Sequence, residues 1–101
     1  DFTDEPAKER YLNNLGFVQV HLEEFPKAEA NLRRALLSAG DDKGCFVIKN
    51  LGLMYQKMGY VREAIAEYRK ALPLFEQHHS KDHPMVGFIR QALTELENPA
   101  S

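Results

Sequence analysis

The fold of this chain follows from residues 48–72, which read IKNLGLMYQKMGYVREAIAEYRKAL. The first half of this stretch carries small and apolar side chains at positions i, i+3, i+4 and i+7, which form one face of an α-helix. These residues are Ile48, Leu51, Gly52 and Tyr55. Gly59 is predicted to mark a turn, and beyond it Ala64, Tyr68 and Ala71 form a second stripe at helical spacing.

The same pattern occurs 36 positions earlier, in residues 12–36, which read LNNLGFVQVHLEEFPKAEANLRRAL. Eight positions are identical in the two copies: Asn14 with Asn50, Leu15 with Leu51, Gly16 with Gly52, Ala28 with Ala64, Ala30 with Ala66, Arg33 with Arg69, Ala35 with Ala71, and Leu36 with Leu72. Self-similarity at a fixed period indicates a repeat architecture. The chain is therefore predicted to contain two helix–turn–helix units.

Capping and turn residues set the predicted limits of the first unit. Thr3 or Asp4 is the expected N-cap of its first helix. Its second helix is predicted to begin near Phe25, because Pro26 suits a first turn, where its missing N–H would have no partner. Gly40 is the expected stop of that second helix.

Two local features bear on helix packing. Gly16 and Gly52 are expected to let each first helix approach its partner closely, although glycine inside a helix costs about 1 kcal/mol relative to alanine. Tyr68 is expected to fill space beside these small residues. Pro73 removes a backbone hydrogen bond and clashes with the carbonyl of Arg69, which predicts a kink or an early end of that helix.

A fifth helix is predicted over residues 84–97. Its apolar stripe consists of Val86, Ile89, Leu93 and Leu96, whereas Arg90, Glu95 and Glu97 should face water. A lone helix of this length is marginal, so it should dock on the second unit as an end cap. The whole chain is predicted to be one domain with repeat one at about 5–40, repeat two at about 43–78 and the capping helix at 84–97.

Composition excludes several classes of protein. The 101 residues are 44% apolar and 28% charged, which is ordinary for a globular domain. A net charge of −2 argues against broad nucleic-acid binding. No apolar run approaches the roughly 20 residues needed for membrane insertion, and the acidic start, residues 1–6, does not resemble a secretion signal. With a single cysteine, Cys45, no internal disulfide is possible, and a cytoplasmic setting is expected.

The quoted residues resemble the tetratricopeptide repeat (TPR), a helix–turn–helix unit of about 34 residues. The second copy fits the family pattern closely, whereas the first has Gln19 in place of the aromatic residue and Glu23 in place of the turn glycine. Neither copy has the frequent tryptophan, and neither keeps the closing proline in register. The resemblance implies an all-α fold, a right-handed α-solenoid of two helix-turn-helix repeats plus a C-terminal capping helix.

Two motifs are similar to the longer-repeat subgroup found in kinesin light chains and related scaffolds. They are Leu12-Asn13-Asn14-Leu15-Gly16 and Asp82-His83-Pro84-Met85-Val86. In that subgroup an Asp-His-Pro turn opens the next repeat. The 42 residues from Leu51 to Leu93 agree with its longer spacing.

Stacked helix pairs rotate slightly against each other, so the first helices line a concave groove. The resemblance and the helical spacing together predict that ten residues line it: Asn13, Asn14, Phe17, His21, Phe46, Lys49, Asn50, Leu53, Gln56 and Lys57. Among them, Asn14 and Asn50 recur just before Leu-Gly. An amide can pair with both the C=O and the N–H of an extended peptide, as this asparagine does in related repeats. Alternatively, each amide only satisfies a backbone group of a neighbouring helix.

The other groove residues also admit two interpretations. Phe17 and Leu53 form a side-chain pocket if exposed, or pack between helices if buried. Lys49 and Lys57 make the floor basic and favour an acidic peptide, or they are ordinary solvated lysines. The carboxylate clamp by which related domains hold chaperone termini is not expected, because Phe17 and Leu53 stand where a second asparagine would be needed.

No enzymatic activity, cofactor or metal site is expected. The cluster His78, His79, Asp82 and His83 lacks fixed ligand geometry and is better explained as a solvated loop. Cys45 has no strong activator nearby, which favours a buried or idle thiol over a nucleophile. The chain also lacks a Gly-rich phosphate loop and a catalytic triad signature.

Two functions remain from the sequence. The first is a non-catalytic interaction module that binds an extended segment of a partner protein in the concave groove. The second is a structural or oligomerisation scaffold, a fragment of a longer array that packs against further repeats or a second copy of itself. In the second case association depends on the ends of the stack, at Phe2, Tyr11 and Leu96, and not on the asparagines.

Overall fold

The computed structural model describes residues 5–98, and the side chains of residues 8–98. This part of the chain forms five α-helices and contains no strand: α1 (Glu5–His21), α2 (Phe25–Ser38), α3 (Asp41–Met58), α4 (Val61–His78) and α5 (Pro84–Glu97). The all-α prediction is confirmed, while the handedness of the stack stays a prediction. Thr3 and Asp4, the expected N-cap residues, lie outside the described residues.

The helices pack in chain order into an elongated body 49 Å long. Helices α1 and α2 form one antiparallel pair, α3 and α4 form the second, and α5 lies against α4. One apolar cluster joins α1, α2 and α3, and a second joins α3, α4 and α5. Helix α3 contributes to both clusters, so it is the centre of the fold.

Each pair is held close by a glycine in its first helix. A Cβ at Gly16 would lie 2.6 Å from Leu32 Cγ, and one at Gly52 would lie 2.8 Å from Tyr68 Cδ1. Leu32 and Tyr68 are themselves 36 residues apart and both are fully buried. The predicted close approach is therefore confirmed in both copies.

The two turns have the same backbone geometry although their sequences differ. Gly59 lies in the left-handed region with φ 82°, and Glu23, its counterpart, has φ 61°. The Tyr60 N–H donates to the Tyr55 carbonyl at 2.9 Å, and the Glu24 N–H donates to the Gln19 carbonyl at 2.8 Å. This pattern is the Schellman motif, which normally requires glycine. Glu23 adopts it at a steric cost that Gly59 avoids.

The structure differs from the expected helix ends at two positions. Helix α4 continues through Pro73 to His78, so of the two expected effects of this proline the early end does not occur, whereas the kink stays a prediction. The Pro73 ring is exposed to solvent. The neighbouring side chains of Leu72 and Phe75 pack in the second cluster, and this packing stabilises the helical turn that contains the proline. Gly40 does not stop α2, which ends at Ser38, but is the N-cap of α3.

Helix α5 caps the second pair as expected. His83 is its N-cap, and the ring Nδ1 accepts a hydrogen bond from the Met85 N–H at 3.1 Å. Val86 and Ile89 are buried, and Ala92 completes the buried face. Two ion pairs with α4, Arg69–Glu97 and Arg90–Glu76, hold its outer edge.

Candidate functional site

Side chains from α1, α3 and α5, the first helices of the successive units, line an open groove. One half has a volume of about 270 Å³ and is lined by Phe17, His21, Lys49, Leu53, Met85 and Phe88. The other half, of about 340 Å³, is lined by Leu53, Gln56, Lys57, Phe88, Gln91, Ala92 and Glu95. Leu53 and Phe88 belong to both halves, so the two halves adjoin along α3.

Lys49 lies at the centre of the first half. Its Nζ is 5.1 Å from the centroid of the Phe17 ring and 5.8 Å from that of Phe88, within the range of cation–π contacts. Burial lowers the pKa of the Lys49 ammonium below its usual range. None of the ion pairs formed within residues 8–98 involves Lys49. The groove therefore contains a partly desolvated positive charge between two aromatic rings.

The two recurring asparagines lie in different environments. Asn50 is only 4% exposed, its Oδ1 accepts from Lys49 Nζ at 2.6 Å, and its Nδ2 donates to Asn13 Oδ1 at 2.8 Å. Asn14 is exposed and makes no side-chain hydrogen bond within residues 8–98. The amide of Asn50 is thus occupied by neighbouring side chains, whereas that of Asn14 is accessible.

The remaining predicted residues divide between the groove and its surroundings. Phe17 is 37% exposed, and its ring packs edge-on against His21 at a centroid distance of 4.5 Å. Gln56 lines the groove and accepts a hydrogen bond from the Tyr68 hydroxyl at 2.7 Å. Phe46 instead packs against Phe75 at 4.8 Å. Four of the ten predicted residues do not line either half of the groove: Asn13, Asn14, Phe46 and Asn50.

Helix α5 contributes a wall of the groove that was not predicted, in particular Met85, Phe88 and Gln91. Besides capping the second pair, α5 occupies the place of the first helix of a third unit. The 42-residue spacing from Leu51 to Leu93 was the available signal, because it places α5 in the position that α3 holds in the second unit. Phe88, 39% exposed, is the largest apolar side chain of this wall.

The histidines of the α4–α5 loop have structural contacts. His79 Nε2 lies 2.6 Å from the Asp42 carbonyl, and His83 caps α5 and packs against Phe75. Within the described residues, no group of three or more His, Cys, Asp or Glu side chains is placed to hold a metal ion. Cys45 is fully buried, and burial raises the pKa of its thiol to about 11, so it is protonated at neutral pH.

Comparison with known proteins finds one similarity, to a repeat family. Residues 48–84, which cover most of α3, all of α4 and the loop to Pro84, match the family model of the tetratricopeptide repeat. Over this segment the chain is similar to the tetratricopeptide repeat, which supports the predicted resemblance. No curated protein and no solved structure matches the chain.

Tetratricopeptide repeats generally mediate protein–protein interactions and are typically non-catalytic. The kinesin-light-chain-like subgroup stays a prediction. None of the five described helices is both long enough and apolar enough to cross a membrane.

Proposed function

We propose that this chain is a non-catalytic interaction module that binds an extended, acidic segment of a partner protein in the groove between α1, α3 and α5. The observation that carries the proposal is Lys49, whose ammonium lies between Phe17 and Phe88 and has no carboxylate partner within residues 8–98. A carboxylate from a ligand would supply the missing countercharge.

The surroundings of Lys49 favour such a ligand. A charge that has already lost part of its hydration shell has less hydration left to lose on binding, so the ion pair with a ligand forms at lower cost than on the open surface. Phe17 and Phe88 offer exposed ring area for an apolar side chain next to the acidic one. Lys57 adds a second positive charge along the groove, with Glu95 opposing it at one end.

The asparagines have separate roles in this proposal. Asn50 holds the Lys49 ammonium in place through its Oδ1, and Asn13 orients the Asn50 amide. Asn14 lies outside the two halves of the groove, and its exposed amide can pair with the main chain of a ligand that extends beyond them. Binding through the peptide backbone would therefore depend on Asn14 more than on Asn50.

The proposal is tested with linear random peptides displayed on phage and selected on the immobilised chain. We expect the enriched peptides to contain Asp or Glu beside an apolar or aromatic residue. Fluorescein-labelled versions should bind with an affinity that falls roughly 10- to 100-fold in Lys49→Met, the range expected for losing a hydrogen bond to a charged group. Fluorescence anisotropy measures this change.

Lys27→Met is the matched control, because Lys27 is exposed on α2 and does not line the groove. Its affinity should equal that of the parent chain. Asn14→Ala should weaken binding without lowering the melting temperature, whereas Asn50→Ala should lower both. Failure to enrich any peptide, or equal affinities for Lys49→Met and Lys27→Met, would refute the proposal.

A further inference from the structure

The first half of the groove combines apolar walls with one positive charge. Its described lining residues are Phe17, His21, Lys49, Leu53, Met85 and Phe88. Among them Lys49 is the only lysine or arginine. Phe17 and Phe88 are 37% and 39% exposed, so their rings offer apolar area that a ligand can cover. This half of the groove can therefore hold an apolar group next to a single anion.

The Lys49 ammonium keeps hydrogen-bond donors for a ligand. An ammonium has three N–H donors. One of them donates to Asn50 Oδ1 at 2.6 Å, and no other hydrogen bond or ion pair within residues 8–98 uses this group. Burial lowers the pKa of the ammonium because it removes part of the hydration, and an anion in contact would favour the charged form again. The remaining donors are thus available to a carboxylate.

The internal repeat does not account for this combination of residues. Lys49 corresponds to Asn13 of α1 by the 36-residue shift, and to Gln91 of α5 by the 42-residue spacing. Phe17 corresponds to Leu53 by the 36-residue shift. Packing between helices therefore requires neither a lysine nor an aromatic ring at these positions, since equivalent positions of the same fold carry other residues. The charge and the rings are features of this half of the groove and not of the repeat.

We propose that the first half of the groove binds a free small molecule, a monocarboxylate with an aromatic ring on a short aliphatic chain. The carboxylate accepts hydrogen bonds from the Lys49 ammonium, and the aromatic ring lies against the exposed parts of Phe17 and Phe88. This inference goes beyond the proposed function, because the ligand is a small molecule and not a protein segment. Both ligands use the Lys49 contact, so a bound small molecule would exclude a partner segment from this half.

Volume and charge limit the ligand to this class. The first half has a volume of about 270 Å³. Pockets for drug-sized molecules have roughly 300–1,000 Å³, so a ligand of about ten to fifteen non-hydrogen atoms fits here. A second carboxylate would find no second lysine or arginine among the described residues of this half, and Lys57 in the adjoining half is accompanied there by Glu95. Because an unpaired charge against apolar walls is unfavourable, a monocarboxylate should bind more tightly than a dicarboxylate.

The test is a titration of the isotope-labelled chain with 3-phenylpropionate, followed by the amide chemical shifts in NMR spectra. We expect saturable shifts in α1, α3 and α5 around the lining residues, with a dissociation constant of about 0.1–1 mM, as is usual for a ligand of this size.

Three related compounds separate the contacts. 3-Phenylpropanamide has the same shape without the charge, propionate lacks the ring, and benzylmalonate carries a second carboxylate. Each should bind roughly 10-fold more weakly than 3-phenylpropionate. This series uses the parent chain, so it tests the proposal even if a variant fails to fold.

Substitutions then locate the site. Lys49→Met removes the charge and keeps the apolar part of the side chain, so it should abolish the preference for 3-phenylpropionate over its amide. Phe88→Leu removes a ring and keeps the charge, so it should weaken both ligands by a similar factor. Lys27→Met alters an exposed lysine that does not line the groove, and both affinities should stay at the parent values. Circular dichroism establishes that each variant is folded.

Several results would overturn the inference. Absence of saturable shifts would mean that the ligand does not bind. Equal affinities for 3-phenylpropionate and its amide would exclude the ion pair, and an equal affinity for propionate would exclude the contact with the rings. Shifts confined to residues outside the first half would place the ligand elsewhere.

The proposed function is tested independently by the peptide selection. If peptides bind in a manner that depends on Lys49 and 3-phenylpropionate does not bind, the inference fails and the proposed function stands. If 3-phenylpropionate binds with the expected dependence on Lys49 and no peptide is enriched, the inference stands and the proposed function fails.

Discussion

Gly52 acts in this fold through the absence of a side chain. The Tyr68 ring is fully buried and lies 2.8 Å from the position that a Cβ of residue 52 would take. Because a buried tyrosine ring cannot move aside without disturbing the second cluster, the steric effect should exceed the helix-propensity gain of alanine.

We therefore expect Gly52→Ala to lower the free energy of unfolding by about 1–3 kcal/mol. Gly87→Ala is the control, since Gly87 lies within α5 and nothing is found within 4 Å of its Cβ position. This substitution should raise the free energy of unfolding by about 0.5–1 kcal/mol. Urea denaturation followed by circular dichroism measures the free energy of unfolding of both variants. If the two substitutions changed it in the same direction, the close approach of α3 and α4 would be contradicted.

Glu23 and Gly59 form a second matched pair, because both adopt left-handed backbone at equivalent turns. Glu23→Gly removes the steric cost of a side chain there and should stabilise the protein by about 0.5–1 kcal/mol after the entropic cost of glycine. Gly59→Ala introduces the same cost and should destabilise by about 1 kcal/mol, although its Cβ meets nothing within 4 Å. In thermal unfolding experiments, Glu23→Gly should raise the melting temperature and Gly59→Ala should lower it.

At the level of helices, Pro73 is an internal proline that the surrounding packing tolerates. It faces solvent within α4 and lacks the N–H that would pair with the Arg69 carbonyl. Pro73→Ala should restore this hydrogen bond and raise the free energy of unfolding by about 1–2 kcal/mol. Pro84→Ala provides the comparison: Pro84 occupies the first turn of α5, where proline is favoured, and its loss should cost about 0.5 kcal/mol. Stabilisation by both substitutions would mean that the position of a proline within its helix has no effect here.

Helix boundaries were predictable to the extent that local chemistry determines them. Pro26 and Pro84 identified the starts of α2 and α5, and Gly59 identified the end of α3. Gly40 was assigned to the end of α2 but caps α3, because a two-residue connection allows one glycine to serve either neighbour. Local sequence does not distinguish these cases, since the choice depends on how α3 packs against α2.

For the whole molecule, the order of packing predicts where the structure opens first. Helix α3 contacts helices on both sides and contributes to both apolar clusters, whereas α1 and α5 each have one side that no other helix of residues 5–98 covers. In stacked repeats, stability depends on contacts between neighbours, so the end helices should open at lower free energy than the centre. Hydrogen exchange followed by mass spectrometry should show the slowest exchange in residues 47–54 of α3. Faster exchange there than in α5 would contradict this order.

The repeat period also accounts for what was predictable about the groove. Phe17, His21, Lys49, Leu53, Gln56 and Lys57 were assigned to it from helical spacing, and they do line it. Asn13, Asn14, Asn50 and Phe46 were assigned to the groove by the same reasoning but do not line it, and the Phe46 ring contacts Phe75 instead. Spacing gives the direction of a side chain from its helix, and the neighbouring helix then determines whether that direction is open.

The amino-acid sequence alone predicts the number of helices and the pairing of α1 with α2 and of α3 with α4. It also identifies the two glycines that permit close packing. These features depend on spacing within about 36 residues and on the size of single side chains. The different environments of Asn14 and Asn50 could not be obtained in this way, because the two share the same local sequence. Asn50 meets Asn13, 37 residues away, whereas Asn14 has no preceding unit beside it within the described chain. Burial and hydrogen bonding at these positions depend on the adjacent unit of the stack, which local sequence does not specify.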